Sequence, residues 1–159
     1  MTINDKLSNL LARRWASDAL GEDYVKWALD ALEAGWDTPS LRILAGLNLT
    51  SPLADIEPYF LSVLKELSIE EPAPDEMPLH YLRYVCRAIM TRTITPDQGI
   101  DLIHKRVINP LGHPKHLMHW CFLWEGNNPD GSFAELKGIE RDNIIIEYAR
   151  KEIASKTEA

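Results

Sequence analysis

The sequence predicts an all-helical fold of roughly six to eight helices with short connections. Apolar residues recur three and four positions apart in most segments, which is the spacing of one helix face. Proline and glycine stand where these segments begin and end, and no segment of useful length alternates apolar with polar residues. With 159 residues and 45% hydrophobic content, we expect a single helical domain over residues 1–159.

Four helical segments are predicted in the first half of the chain. The first begins at Asn4 as N-cap and stops at Gly21. Thr38-Pro39 and Ser51-Pro52 each open a later segment, and Pro58 should kink or restart the fourth helix. The predicted core stripes contain Leu7, Leu10, Leu11, Trp15, Tyr24, Trp27, Ala28, Leu41, Leu44, Phe60, Val63 and Leu64.

Residues 70–74, Glu-Glu-Pro-Ala-Pro, form the clearest linker. A longer helix follows from Asp75. The run Thr95-Pro96-Asp97-Gln98 then combines a capping box with proline at the first helical position, so it predicts the start of another helix.

The last third contains turns at residues 109–112 and 126–131, and residues 114–124 between them are apolar over most of the helix circumference. A final helix is predicted from about Ile139 into the 150s. Its Ile144-Ile145-Ile146 run alone favours a strand, but the charged, helix-favouring flanks decide for helix.

Composition excludes several classes of function. Seventeen Lys and Arg against twenty-four Asp and Glu give a net charge of −7, so a nucleic-acid partner is not expected. No apolar stretch is long enough to span a bilayer, and the first residues lack the layout of a signal peptide, so we expect a cytoplasmic protein without a membrane partner. Cys86 and Cys121 stand apart from any paired spacing and are predicted to be reduced core thiols.

The sequence lacks the short motifs that are typical of common catalytic sites. The chain has no G-x-S-x-G, no phosphate-binding G-x-x-x-x-G-K-[ST], no G-x-G-x-x-G and no H-E-x-x-H. We therefore predict no catalytic residues and no bound organic cofactor, although a site assembled from distant residues would escape such a search.

One cluster of histidines could bind a transition metal. His113, His116 and His119 lie three residues apart, so their imidazoles would converge if the segment were helical, with Glu125 or Asp130 as a further ligand. The alternative is that these histidines hydrogen-bond at helix ends or line a surface, and His113 precedes Pro114, which places it at the edge of any helix.

Aromatic and arginine residues supply the candidate interaction surface. Trp120 and Trp124 lie four apart on one predicted helix face, and Trp36 lies in a connection after Gly35. The alternative for Trp120 and Trp124, a buried helix contact, is the favoured one, and the alternative for Trp36 is a ring that covers the core. Arg83 and Arg87 are also four apart and could bind a carboxylate or phosphate, the alternative being a solvated pair.

Several short runs together resemble a group of small, all-helical, largely uncharacterised bacterial cytosolic proteins. They are Trp27-Ala28 through Leu32 and Gly35, the run Ser40-Leu41-Arg42-Ile43-Leu44-Ala45-Gly46-Leu47, Leu64-Lys65-Glu66-Leu67, and Ile94-Thr95-Pro96-Asp97-Gln98-Gly99. The resemblance implies an all-helical cytosolic protein and brings no catalytic residues. The segment at residues 114–124 departs from the pattern of this group.

Two functions of different classes follow from the sequence. The first is a non-catalytic protein-protein interaction protein, in one version an immunity-type or antitoxin-like binder, whose acidic surface meets a basic partner. The second is a metal-binding protein or metal-dependent hydrolase that uses His113, His116 and His119. A helical subunit of a homo-oligomer is a third reading.

Overall fold

The computed structural model describes residues 1–130, 132 and 135–155. The described part of the chain is all-helical, as predicted, and forms no strand beyond an isolated bridge between Asn127 and Glu135. In chain order its α-helices are α1 (Ile3–Trp15), α2 (Gly21–Glu33), α3 (Pro39–Ala45), α4 (Leu53–Glu66), α5 (Met77–Met90), α6 (Pro96–Ile103), α7 (Met118–Trp124) and α8 (Gly138–Ala154).

Two compact units divide the chain, Met1–Pro74 and Asp75–Ala159. The first unit contains α1 to α4, and the second contains α5 to α8. Their boundary directly follows residues 70–74, the segment that the sequence marks as a linker. The expectation of one domain over residues 1–159 stays a prediction.

The first unit buries an aromatic cluster between α2 and α4. Phe60 is fully buried and meets the rings of Tyr24 and Trp27 edge-on, with centroids 5.0 and 5.5 Å apart. Edge-to-face contacts of this kind add to the stabilisation from apolar burial. The core prediction is confirmed for Trp27 and wrong for Trp15, which is 37% exposed because it is the last residue of α1.

Two helix starts in this unit differ from the prediction. The N-cap of α1 is Thr2 instead of Asn4, and Thr2 forms a capping box with Asp5. Gly21 begins α2 instead of ending α1, at a point where a Cβ atom would lie 2.6 Å from the carbonyl oxygen of Ser51. Pro58 neither ends nor restarts α4, which runs through it from Leu53 to Glu66.

The second unit packs α5 against α6 and α8. Ile145 is fully buried on α8, so the helical assignment of the triple-isoleucine run is confirmed. Thr95 and Gln98 form the predicted capping box at the start of α6. Cys86 and Cys121 are both buried and unpaired, as expected. Of the predicted loop at 126–131, Gly131 lies outside the described residues.

Candidate metal centre

The candidate site begins where α6 changes its helical register. The helix continues beyond Ile103 as a π-helical turn, His104–Ile108, in which the N–H of Asn109 donates to the carbonyl of His104 at 3.0 Å. A π-helical turn inserts one extra residue into the helical path and is frequent at functional sites. His104 is the first residue of this turn and is half-buried.

A tight reversal then brings a second imidazole back to the first. His113 adopts a left-handed backbone conformation with φ of 58°, directly after Gly112 at 67°. Such a conformation costs a residue other than glycine about 1–2 kcal/mol. The N–H of His113 donates to the carbonyl of Ile108 at 3.1 Å, which closes the reversal. The imidazole rings of His113 and His104 lie edge-on with centroids 6.1 Å apart.

The third member is a cysteine on α7. A 3₁₀ turn, Lys115–Leu117, leads into α7, and Cys121 lies in the middle of that helix with only 4% of its surface exposed. His104, His113 and Cys121 each offer one ligand atom, and these atoms all lie within 4.8 Å of one another.

This spacing is close to that of a metal centre. Zinc bound to nitrogen and sulfur in a tetrahedron holds its ligand atoms about 3.5 Å apart. No pair of ligand atoms in this cluster would therefore have to close by more than about 1 Å on binding. Rotation of the exposed His113 side chain is the least costly way to do so, because Cys121 is packed in the core.

Trp124 fixes the orientation of one imidazole. Its ring stacks on His104 with centroids 3.7 Å apart and planes within 3° of parallel. The indole N–H donates to the carboxylate of Asp101, which also accepts a hydrogen bond of 2.6 Å from Lys105 Nζ. His104 is therefore held on one face by a side chain that is itself anchored.

The surroundings shift the pKa values of two of the three candidate ligands, His104 and Cys121. Burial and the neighbouring imidazole of His113 lower the pKa of His104, which favours the neutral form that binds metal. Burial, with a smaller contribution from the Glu125 carboxylate, raises the pKa of the Cys121 thiol. A metal ion would have to displace the proton of this thiol.

The structure places His116 and His119 elsewhere. His113 precedes the 3₁₀ turn, so the three histidines do not share one helix face. His116 is exposed, and His119 packs against Tyr148 with ring centroids 5.0 Å apart. Among the described residues, the group with ligand atoms close enough to hold a metal joins His113 to His104 and Cys121, without His116 or His119.

The predicted interaction residues fall in different environments. Trp120 is fully buried and belongs to the core of the second unit, whereas Trp124 is 41% exposed. Trp36 is half-buried in the first unit, edge-on to Trp27. Arg83 and Arg87 are both half-buried on α5, and Arg83 Nε lies 3.9 Å from the Glu152 carboxylate on α8.

No family model, curated protein or solved structure matches this chain. The resemblance drawn from the sequence therefore stays a prediction. None of the described helices combines the length and apolar character needed to cross a bilayer.

Proposed function

We propose that the protein binds a divalent transition-metal ion, zinc by its donor set, through His104, His113 and Cys121. The observation that carries this proposal is the convergence of three ligand atoms within 4.8 Å of one another. Two imidazoles and one thiolate are ligands that zinc prefers, with borderline-soft character well matched to nitrogen and sulfur.

The backbone around these ligands supports the same proposal. His104 opens a π-helical turn, and His113 has the left-handed conformation that residues other than glycine rarely adopt. Both irregularities cost free energy and are most frequent at functional sites. Ser17, Ser68 and Arg92 share the left-handed conformation just after the ends of α1, α4 and α5, so the π-helical turn at His104 is the more specific of the two features.

The direct test is a metal titration of the purified full-length chain with Zn²⁺, monitored by competition with a chromophoric chelator. We expect zinc binding to weaken by about 100-fold or more in each of His104→Ala, His113→Ala and Cys121→Ala, because each variant removes a residue that coordinates the metal directly. His116→Ala and Cys86→Ala are the matched controls and should bind zinc like the unaltered chain.

The pattern of losses separates the two histidine sets. If His116→Ala lost zinc binding and His104→Ala kept it, the metal would bind at His113, His116 and His119, the set predicted from the sequence. Absence of stoichiometric zinc binding by the unaltered chain would end the metal proposal in both forms.

A second function, interaction with a basic protein, is favoured by where the negative charge lies. The first unit carries six Lys and Arg against twelve Asp and Glu, a charge of −6, whereas the second carries eleven against twelve, a charge of −1. We propose the first unit as the part that meets a cationic partner, because complementary charge accelerates and selects encounters.

Native mass spectrometry of untagged protein from its own cells tests this interaction. The expected result is a complex with a basic polypeptide that dissociates as salt is raised, since exposed charges are screened by salt. Recovery of the chain alone or only with itself, under several growth conditions, would contradict the proposal.

A further inference from the structure

We infer that the metal at His104, His113 and Cys121 keeps an exchangeable fourth coordination position, which takes a small anionic oxygen donor such as a carboxylate or hydroxamate. This inference rests on the proposed function. The metal would then bind a small molecule from solution, instead of serving only to stabilise the fold.

The number of ligands is the first reason. Structural zinc sites are closed by four protein ligands, whereas sites with three protein ligands keep the fourth position for water or substrate. The cluster contains three ligand atoms, one from each residue, and no carboxylate of the described residues joins them. Tetrahedral coordination therefore leaves one position to a molecule from solution.

Access from solvent is the second reason. Cys121 is the buried member of the cluster, and Val107 and Ile108, in the same π-helical turn as His104, are buried as well. In contrast, His113 is exposed and Trp124 is 41% exposed. A ligand can therefore approach the metal from the side of His113 without opening the core.

Glu125 is the protein group best placed to compete for the fourth position. It lies one helical turn after Cys121, and residues four apart on a helix are neighbours. Its carboxylate accepts a hydrogen bond of 3.3 Å from Asn127 Nδ2, and it does not belong to the converging group. Glu125 is thus close to Cys121 along the helix, but its carboxylate lies outside the group of converging ligand atoms.

Charge determines the class of ligand. A divalent ion bound by one thiolate and two neutral imidazoles carries one net positive charge. The centre therefore favours an anion over a neutral donor, because a donor bound to the ion lies much closer to it than to the uncoordinated Glu125 carboxylate. A carboxylate already carries that charge, and a hydroxamic acid supplies it by losing its hydroxyl proton to solvent as its oxygen binds the metal.

The test uses full-length protein loaded with Co²⁺, whose visible spectrum reports the geometry and ligands of the metal. Acetohydroxamate should change the ligand-field bands in a saturable manner with one site per chain. The sulfur-to-cobalt charge-transfer band of Cys121 should persist, which shows that the metal stays bound. Glu125→Gln should give the same ligand-free spectrum and the same response.

Three results would overturn the inference. Stoichiometric cobalt binding with no response to acetohydroxamate would indicate a closed site. A changed ligand-free spectrum in Glu125→Gln would assign the fourth position to Glu125, and loss of the charge-transfer band would mean that the hydroxamate removes the metal. Failure of cobalt to bind at all would instead overturn the proposed function itself.

Discussion

At the scale of single residues, one network of hydrogen bonds and ion pairs in the first unit is centred on Glu57. Its carboxylate accepts hydrogen bonds from Arg14 Nε at 3.0 and 3.1 Å and from the hydroxyl of Tyr24 at 2.8 Å. Arg14 also pairs with Glu71 at 2.6 Å. Burial raises the pKa of Glu57, but the hydrogen bonds from Arg14 and Tyr24 outweigh burial and hold it below its ordinary value.

Glu57→Gln should lower the free energy of unfolding by about 1–3 kcal/mol at neutral pH, because it leaves Arg14 without its main partner. A carboxyl group whose pKa is lowered on folding stabilises the protein above its unfolded pKa, and this contribution disappears as pH falls through the folded pKa. The difference between the two proteins, measured by urea unfolding, should therefore shrink as the solution is acidified.

Asp37→Asn is the matched control for Glu57→Gln. Asp37 pairs with Arg42 at 2.5 Å, but both side chains are more than half exposed. Exposed ion pairs contribute little to stability. A control effect as large as that of Glu57→Gln would mean that net charge, rather than this network, sets the pH dependence.

Trp124 is expected to position His104 for metal binding. Trp124→Ala should weaken Zn²⁺ binding by about tenfold, because groups that orient a ligand typically contribute this much to affinity. Trp124→Phe preserves a stacking ring and should recover most of the loss. Trp36→Ala is the control, because Trp36 belongs to the first unit, and it should leave the dissociation constant for Zn²⁺ unchanged. If Trp124→Ala bound Zn²⁺ as tightly as the unaltered chain, Trp124 would have no positioning role.

At the scale of helices, the contact between α5 and α6 depends on Gly99. A Cβ atom at this position would lie 2.4 and 2.6 Å from Cδ1 and Cγ1 of Ile89. Because Ile89 is itself buried, its side chain has little room to move away. The absence of a side chain at Gly99 is therefore what lets the two helices approach.

Gly99→Ala should lower the free energy of unfolding by about 1–2 kcal/mol, since overpacking outweighs the better helix propensity of alanine. Gly46→Ala, at the end of α3, is the control, because its new Cβ would lie 3.5 Å from the nearest oxygens, which is an ordinary contact. Thermal unfolding checks both, and partial recovery in the double variant Gly99→Ala, Ile89→Val would locate the strain. An increase in stability for Gly99→Ala would show that α6 can shift away from α5 and accommodate the new Cβ atom at little cost.

At the scale of the whole molecule, all three proposed ligands belong to the unit Asp75–Ala159. A fragment of residues 75–159 should therefore remain helical by circular dichroism and bind zinc with an affinity within about tenfold of the full chain. A fragment of residues 1–74 is the control and should bind no zinc at this affinity. Loss of helicity or zinc binding in the larger fragment would favour the single domain predicted from the sequence.

Local physics explains how much of this fold was predictable. The capping box at Thr95 and the proline start at Thr38 are interactions between residues three or four positions apart, and the structure shows both. The correct assignment of α8 likewise came from its charged flanks. The predicted start of α1 at Asn4 was wrong because two nearby residues, Thr2 and Asn4, can both serve as N-cap. The predicted role of Gly21 was wrong because the carbonyl that crowds it belongs to Ser51, which is distant in sequence.

The candidate metal centre was predictable only in part. The sequence predicted a transition-metal site that contains His113, but helical spacing indicated His116 and His119 as the other ligands. His104 and His113 are nine residues apart, which on one regular α-helix places them about 180° from each other. The structure brings them together because a π-helical turn and a left-handed residue reverse the chain between them.

The sequence by itself therefore determined the helical class, most helix positions, the linker and the buried, unpaired cysteines, because periodicity and capping are local properties. Only the tertiary structure decided which histidines meet, that Cys121 joins them, and that Trp120 is buried while Trp124 is exposed. These facts depend on chain reversals and on packing between helices, which no local pattern encodes.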